Sequence, residues 1–135
     1  MQKFNDCYIT YNNDVDTLSF DWGKIRMLSE ERVTGATSFS FGHVTLEPGK
    51  GHVRHNHPTA DEVIYVVSGE GQQMLDDQAP VTVTAGACIW IPKGIYHSTI
   101  NSGTAPMVLV VVYAPAGAEA VLREDPSVQI IPAGQ

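Results

Sequence analysis

Short runs rich in Val, Ile, Thr and aromatic residues, cut every few positions by Gly, Pro, Asn or Asp, constrain this chain more than any other feature. Residues 8–11, 25–28, 38–46, 51–57, 62–68, 71–75, 81–84, 88–91, 97–101 and 107–113 read as strands. Turn signals stand between them at Glu47-Pro48-Gly49, Ser68-Gly69-Glu70-Gly71, Ala85-Gly86, Pro92-Lys93-Gly94 and Asn101-Ser102-Gly103. No stretch before residue 115 has a convincing helical period, so the crossover helices of an α/β fold are missing. Many short strands at this spacing predict an all-β barrel or sandwich.

The 135 residues fit one domain. Residues 1–35 are expected as an arm, 36–114 as the barrel and 115–135 as a tail, with a short helix over 116–124 and an extended piece over 128–131. Hydrophobic residues make up 43% and charged residues 17%, which excludes a disordered chain. The net charge is −7 and the Lys and Arg residues are scattered singly, so neither nucleic acid nor an anionic membrane is expected as a partner. The longest apolar run, 107–116, is too short to span a bilayer. Cys7 and Cys88 make no Cys-x-x-Cys motif and read as reduced thiols. With a polar first segment, the expectation is a soluble, cytoplasmic protein.

Side chains alternate along a strand, so His55 and His57 aim two imidazoles at one point while Asn56 faces away. Residues 58–61 turn the chain, and Glu62 opens the next strand within reach of the same point. His97 arrives just after the Pro92-Gly94 turn. Three imidazoles and a carboxylate suit a first-row divalent ion, and without one they would be poorly solvated inside a barrel. His43 and His52 have no partner at a useful spacing and read as ordinary surface or core histidines. Strand parity turns His52, Arg54 and Asn56 away from the metal. It places Gly51 and Val53 beside His55, and Ile64 and Val66 beside Glu62, around a largely apolar pocket. Gln73 and Tyr96 are the candidate catalytic residues, orienting a substrate. Trp90 and Tyr65 are further polar candidates, although Tyr65 has the wrong parity. Arg26 is the one arginine with a chance of facing the site, and a dianion such as oxalate would want an Arg fork.

Two patterns now stand together: Gly49-x5-His55-x-His57-x4-Glu62-x6-Gly69 and Gly86-x5-Pro92-x-Gly94-x2-His97-x3-Asn101. They resemble the two motifs of the cupin superfamily, and the likeness extends over about residues 38–113. The chain looks like a small monocupin. The resemblance implies a jelly-roll, double-stranded β-helix barrel holding one divalent metal ion at His55, His57, Glu62 and His97. Mn and Fe are the first expectations, with Ni, Cu, Co and Zn behind them. Cupins include dioxygenases, decarboxylases, isomerases, lyases and binding proteins. The expected function is therefore a metal-dependent enzyme on a small oxygen-rich substrate, with dioxygenase-type cleavage first. The alternatives are a non-redox isomerase or lyase, or a metal-containing protein that binds a sugar or organic acid. Cupins often dimerise through N-terminal segments, so residues 8–11 and 25–28 are expected to pair with a neighbour in a homodimer. Asn101 is expected to close a turn through its amide.

Overall fold

In the computed structural model, which describes residues 1–135, twelve strands and two short helices follow one another. The strands are β1 Gln2–Phe4, β2 Cys7–Ile9, β3 Thr17–Phe20, β4 Gly23–Ser29, β5 Ser40–Leu46, β6 Asp61–Ser68, β7 Glu70–Leu75, β8 Val81–Thr84, β9 Cys88–Ile91, β10 His97–Asn101, β11 Met107–Ala114 and β12 Gln129–Ile131. The helices are α1 Glu31–Thr34 and α2 Ala120–Glu124. A seven-stranded sheet has the order β12-β3-β4-β5-β11-β6-β9, and a three-stranded sheet has the order β10-β7-β8. The pairings are antiparallel throughout. The two sheets form the predicted all-β jelly roll.

Period-two alternation decides which side of the large sheet is the core. Ile25, Val44, Leu46, Ile64, Val66, Leu109 and Val111 are buried, while their strand neighbours are less so. Each such side chain contributes about 1.5–3 kcal/mol on leaving water. Ile89 and Ile91 of β9 and Leu122 of α2 join the same cluster. Buried positions on the small sheet are mostly polar: Gln73, His97, Ser98, Thr99 and Asn101. Asn101 closes its turn as expected. Its Nδ2 donates to the carbonyls of Leu46 and Ala105, and its Oδ1 accepts from the Gly103 amide.

Three expectations are corrected. Residues 51–57 form no strand. Two isolated bridges pin the segment, Gly51 to Ile100 and His55 to His97, and the chain bends between them. Gly51 presses so close to β10 that an added Cβ would meet the Thr99 carbonyl oxygen at 2.0 Å. Val53, expected beside His55, is 71% exposed as a result. Residues 17–29 do not belong to an arm. Leu18 and Phe20 are buried, β3 pairs with β4, and β4 pairs with β5 of the same chain along most of its length. Only the β1–β2 hairpin stays outside both sheets. The four-residue α1 was too short to show a period in the sequence. No helix is long and apolar enough to cross a membrane.

Candidate metal centre

The two sheets and the linking segment converge on one point. Glu62 comes from β6, where it sits opposite Ile91 of β9 and Tyr113 of β11. His97 opens β10. His55 is held against it by a reciprocal backbone pair, His55 N–H to the His97 carbonyl at 3.1 Å and His97 N–H to the His55 carbonyl at 2.8 Å. The His57 carbonyl accepts the Gly94 amide at 3.0 Å, and Asn56 Nδ2 donates to the Gly94 carbonyl. Gly94 adopts φ +79°, which an L side chain resists, so the glycine makes the turn that fixes both His57 and His97.

The ligand atoms of His55, His57, Glu62 and His97 all lie within 4.8 Å of one another. Ligands about 2.0–2.3 Å from one ion can stand up to about 4.6 Å apart across it, so the cluster is already near the size of a metal shell. His57, Glu62 and His97 are buried, and His55 is half-buried. His55 Nδ1 faces the Val53 carbonyl at 2.6 Å, and His97 Nδ1 faces the Ile95 carbonyl at 2.9 Å. Donation from Nδ1 to a carbonyl sets the tautomer and leaves Nε2 as a lone pair, as metal-bound histidines require. His97 Nε2 lies 2.8 Å and His57 Nε2 3.2 Å from the same Glu62 oxygen, yet none of the three atoms has a well-directed hydrogen bond. With His97 neutral, as a metal ligand must be, this sets two acceptors face to face in a buried place, an arrangement that a cation between them satisfies. The residues fit a divalent ion.

Burial disfavours the Glu62 carboxylate, but the facing His57 and His97 outweigh it and hold its pKa below the ordinary value. Burial disfavours the His97 imidazolium, and Glu62 reverses that and raises its pKa. Burial, helped by His52, brings His55 down to about 4.

A cavity of about 410 Å³, counting the space open to solvent, adjoins the cluster and shares His55, Glu62 and His97 with it. Its apolar wall is Ile25, Val44, Leu46, Ile64, Leu109 and Val111, with Trp22 beside them. Its other polar residues are His52, Thr99 and Tyr113. Ile64 stands on the inner face beside Glu62, as parity required. Gln73 is buried beside Thr99 and does not line the cavity; its Oε1 accepts the Thr99 hydroxyl at 2.5 Å and its Nε2 donates to the Met74 carbonyl. Tyr96 is 47% exposed under the Arg54 guanidinium and does not line the cavity. Trp90 and Tyr65 are exposed. Arg26 bonds Thr17, so no arginine lines the cavity.

Sequence reasoning missed most of this lining, and two of the missed residues lie against the ligands. His52 stacks on Trp22 with ring centroids 4.8 Å apart and meets His55 at 4.1 Å. Its assignment to the far side assumed a regular strand, which the bend removes. Tyr113 packs edge-on against His57 at 4.9 Å. Burial, together with Glu62 and Glu119, raises its phenol well above the ordinary value, so it keeps its proton. Its phase with Leu109 and Val111 on β11 was the signal available.

The comparisons with known proteins bear on this geometry. A cupin-domain family model matches residues 42–113. The chain belongs to the cupin family. Protein SchB of Streptomyces halstedii is 33% identical over 93 residues, covering 69% of this chain and 67% of that protein. The tetracenomycin polyketide synthase protein TcmJ of Streptomyces glaucescens is 28% identical over 93 residues, covering 69% of this chain and 62% of its own length. Among solved structures, an oxalate decarboxylase of Lactobacillus farciminis in complex with formate superposes with a TM-score of 0.71 at 25% identity. That match covers 78% of this cupin chain but only 32% of the decarboxylase. KdgF from Halomonas sp. superposes at 0.72 over 83% of this chain and 98% of its own, at 14% identity, a likeness of fold.

Two outcomes are expected of the centre. Outer partners of metal ligands alone are worth about 10–100-fold in affinity. Replacing a ligand, His57→Ala, should cost at least that much while the barrel stays folded, as elemental analysis and thermal unfolding of the metal-loaded protein would read. Full stoichiometric metal at unchanged affinity would contradict the assignment. Binding also needs neutral imidazoles, so protons compete with the ion as pH falls. His97, with its raised pKa, takes a proton before His55 does. Metal content after dialysis should therefore fall below about pH 6. Retention unchanged to about pH 3, below the reference His and Glu values, would contradict imidazole ligation.

Proposed function

We propose that this cupin is a metal-dependent enzyme acting on a small oxygen-rich substrate, with oxygen-dependent cleavage as its first reaction class. One observation carries the reading: a four-residue cation site opens directly onto a mostly apolar cavity. A divalent ion bound there would supply Lewis-acid or redox chemistry to substrate oxygens, with Mn or Fe first and Ni, Cu, Co or Zn as further candidates. The chain's own part is to take up the apolar body of the substrate and keep bulk water from it. Thr99 is a fixed polar contact, because Gln73 holds its hydroxyl. TcmJ bears the name of a polyketide synthase protein, and polyketides carry many oxygens on a carbon skeleton, which supports an oxygen-rich substrate.

A second reading, non-redox isomerase or lyase chemistry, draws support from Tyr113, a buried phenol that stays protonated beside His57 and can donate a hydrogen bond to a substrate oxygen. A third is a metal-containing protein that binds a sugar or organic acid without turnover. Dioxygen uptake by the Fe- or Mn-loaded protein, offered diketones, hydroxy acids and uronates in turn, separates them. Uptake with product formation is the expected result. Product without uptake selects the second reading, and saturable binding without product selects the third.

The same proposal includes a cytoplasmic setting, in keeping with the two exposed free thiols, and a homodimer. The β1–β2 hairpin pairs only with itself and exposes Phe4 and Ile9, which supports a contact with a second copy. Light scattering at micromolar concentration should give twice the 14.6 kDa chain mass. A chain that stays monomeric at high concentration would contradict the dimer and leave the metal centre untouched.

A further inference from the structure

The cavity is not the whole route to the metal centre. A groove lies outside it, bordered by α2 and the turn that follows, and lined by Val121, Leu122, Glu124, Asp125 and Pro126 on that side. The cavity and the groove have two residues in common, His52 and His55. His55 belongs to the metal cluster. His52 has been given no role so far, yet it borders both spaces, at the throat between them.

The position of its ring is tightly set. His52 is stacked on Trp22 with 21° between the planes, and His55 lies against it with centroids 4.1 Å apart. Trp22 is backed in turn by Phe20 at 4.7 Å. A ring packed against two others has its edge left for polar contact, and the edge of an imidazole carries its two nitrogens. Neither nitrogen of His52 is a buried atom left without a partner, and neither makes a hydrogen bond within the chain. The edge is therefore polar, without a partner in the chain and not shut off from solvent, beside a metal ligand.

Charge along the route narrows what such an edge would meet. No Lys or Arg lines the cavity or the groove. The acidic residues there are Glu124 and Asp125 in the groove and Glu62 in the cavity. The bound ion would attract any anion, but a small dianion finds no guanidinium fork beside it and passes two carboxylates on the way. An uncharged molecule meets no such barrier, and the aliphatic wall offers its carbon skeleton a place.

We infer that His52 is a substrate-contacting residue at the throat of the site, where the edge of its ring hydrogen-bonds an oxygen of a chelator with an apolar body that is uncharged in solution and binds the ion as a monoanion, its proton released to solvent, such as a ring-borne hydroxyketone or an enolisable diketone. This inference rests on the metal centre of the proposed function and adds to it the class of substrate and the residue that orients it. His52 acts by position and hydrogen bonding.

Calorimetric titration of the full-length, manganese(II)-loaded protein tests it, with metal content fixed by elemental analysis beforehand. The probes are maltol, an uncharged hydroxypyrone, and oxalate. Maltol should bind more tightly than oxalate. His52→Phe keeps a ring in the clamp and removes both nitrogens. It should weaken maltol about tenfold, the worth of one well-placed hydrogen bond, and leave metal content and oxalate binding as they were. His52→Asn, which restores a donor and an acceptor, should recover part of the loss, and it serves also if the Phe variant folds poorly. Tighter binding of oxalate, an equal loss for both probes, or unchanged maltol binding in both variants would overturn the inference, and bound manganese would then leave the metal centre standing. Failure of the wild-type chain to hold manganese at all would overturn both.

Discussion

The structure depends on one buried encounter: His97 Nε2 and a Glu62 carboxylate oxygen stand 2.8 Å apart, and both have lone pairs to satisfy whenever the histidine is neutral. Two acceptors at that distance repel unless a cation stands between them or a proton is shared. His97 belongs to the small sheet and Glu62 to the large one, so the encounter sits where the sheets close on each other. His55 and His57 complete it from a segment that belongs to neither sheet. The fold therefore concentrates four ligands at its seam, and a bound ion would tie the two sheets and the segment together. Metal binding of this kind is also folding free energy.

The surroundings of the ion shape what the site can do. The large sheet supplies an aliphatic wall, and the small sheet supplies polar groups whose hydrogen bonds are mostly spent on one another, as Gln73 is on Thr99. The free polar contacts are left to His52 and Tyr113. The likeness to oxalate decarboxylase is one of architecture, extending over about a third of that chain. Architecture alone does not carry substrate choice. No Lys or Arg lines the cavity to receive a dianion, and the proposed substrate, with more carbon, suits the apolar wall.

Much of this was legible in the residues, because alternation and spacing are strictly geometric. His55, His57, Glu62 and His97 are brought together as the two motifs implied, and Glu62, Ile64 and Val66 share the buried face that a period of two requires. The failures trace to places where the period breaks. Residues 51–57 look like a strand, but only Gly51 and His55 are bridged, so parity could not place His52 or Val53. Tyr96 sits next to a ligand in sequence and on the opposite face in space, with Arg54 over its ring. β3 was overlooked although Leu18 and Phe20 alternate, and with it the pairing that draws residues 17–29 into the main sheet. Cavity membership depends on three-dimensional closure, and no spacing along the chain reports it.

Anomalous diffraction from crystals of the manganese-loaded protein, collected near the manganese absorption edge, tests the central claim most directly. The account predicts one strong peak per chain, about 2.0–2.3 Å from the three histidine Nε2 atoms and a Glu62 carboxylate oxygen. No peak among these four residues, or a peak held elsewhere while His97 and Glu62 remain face to face, would contradict it.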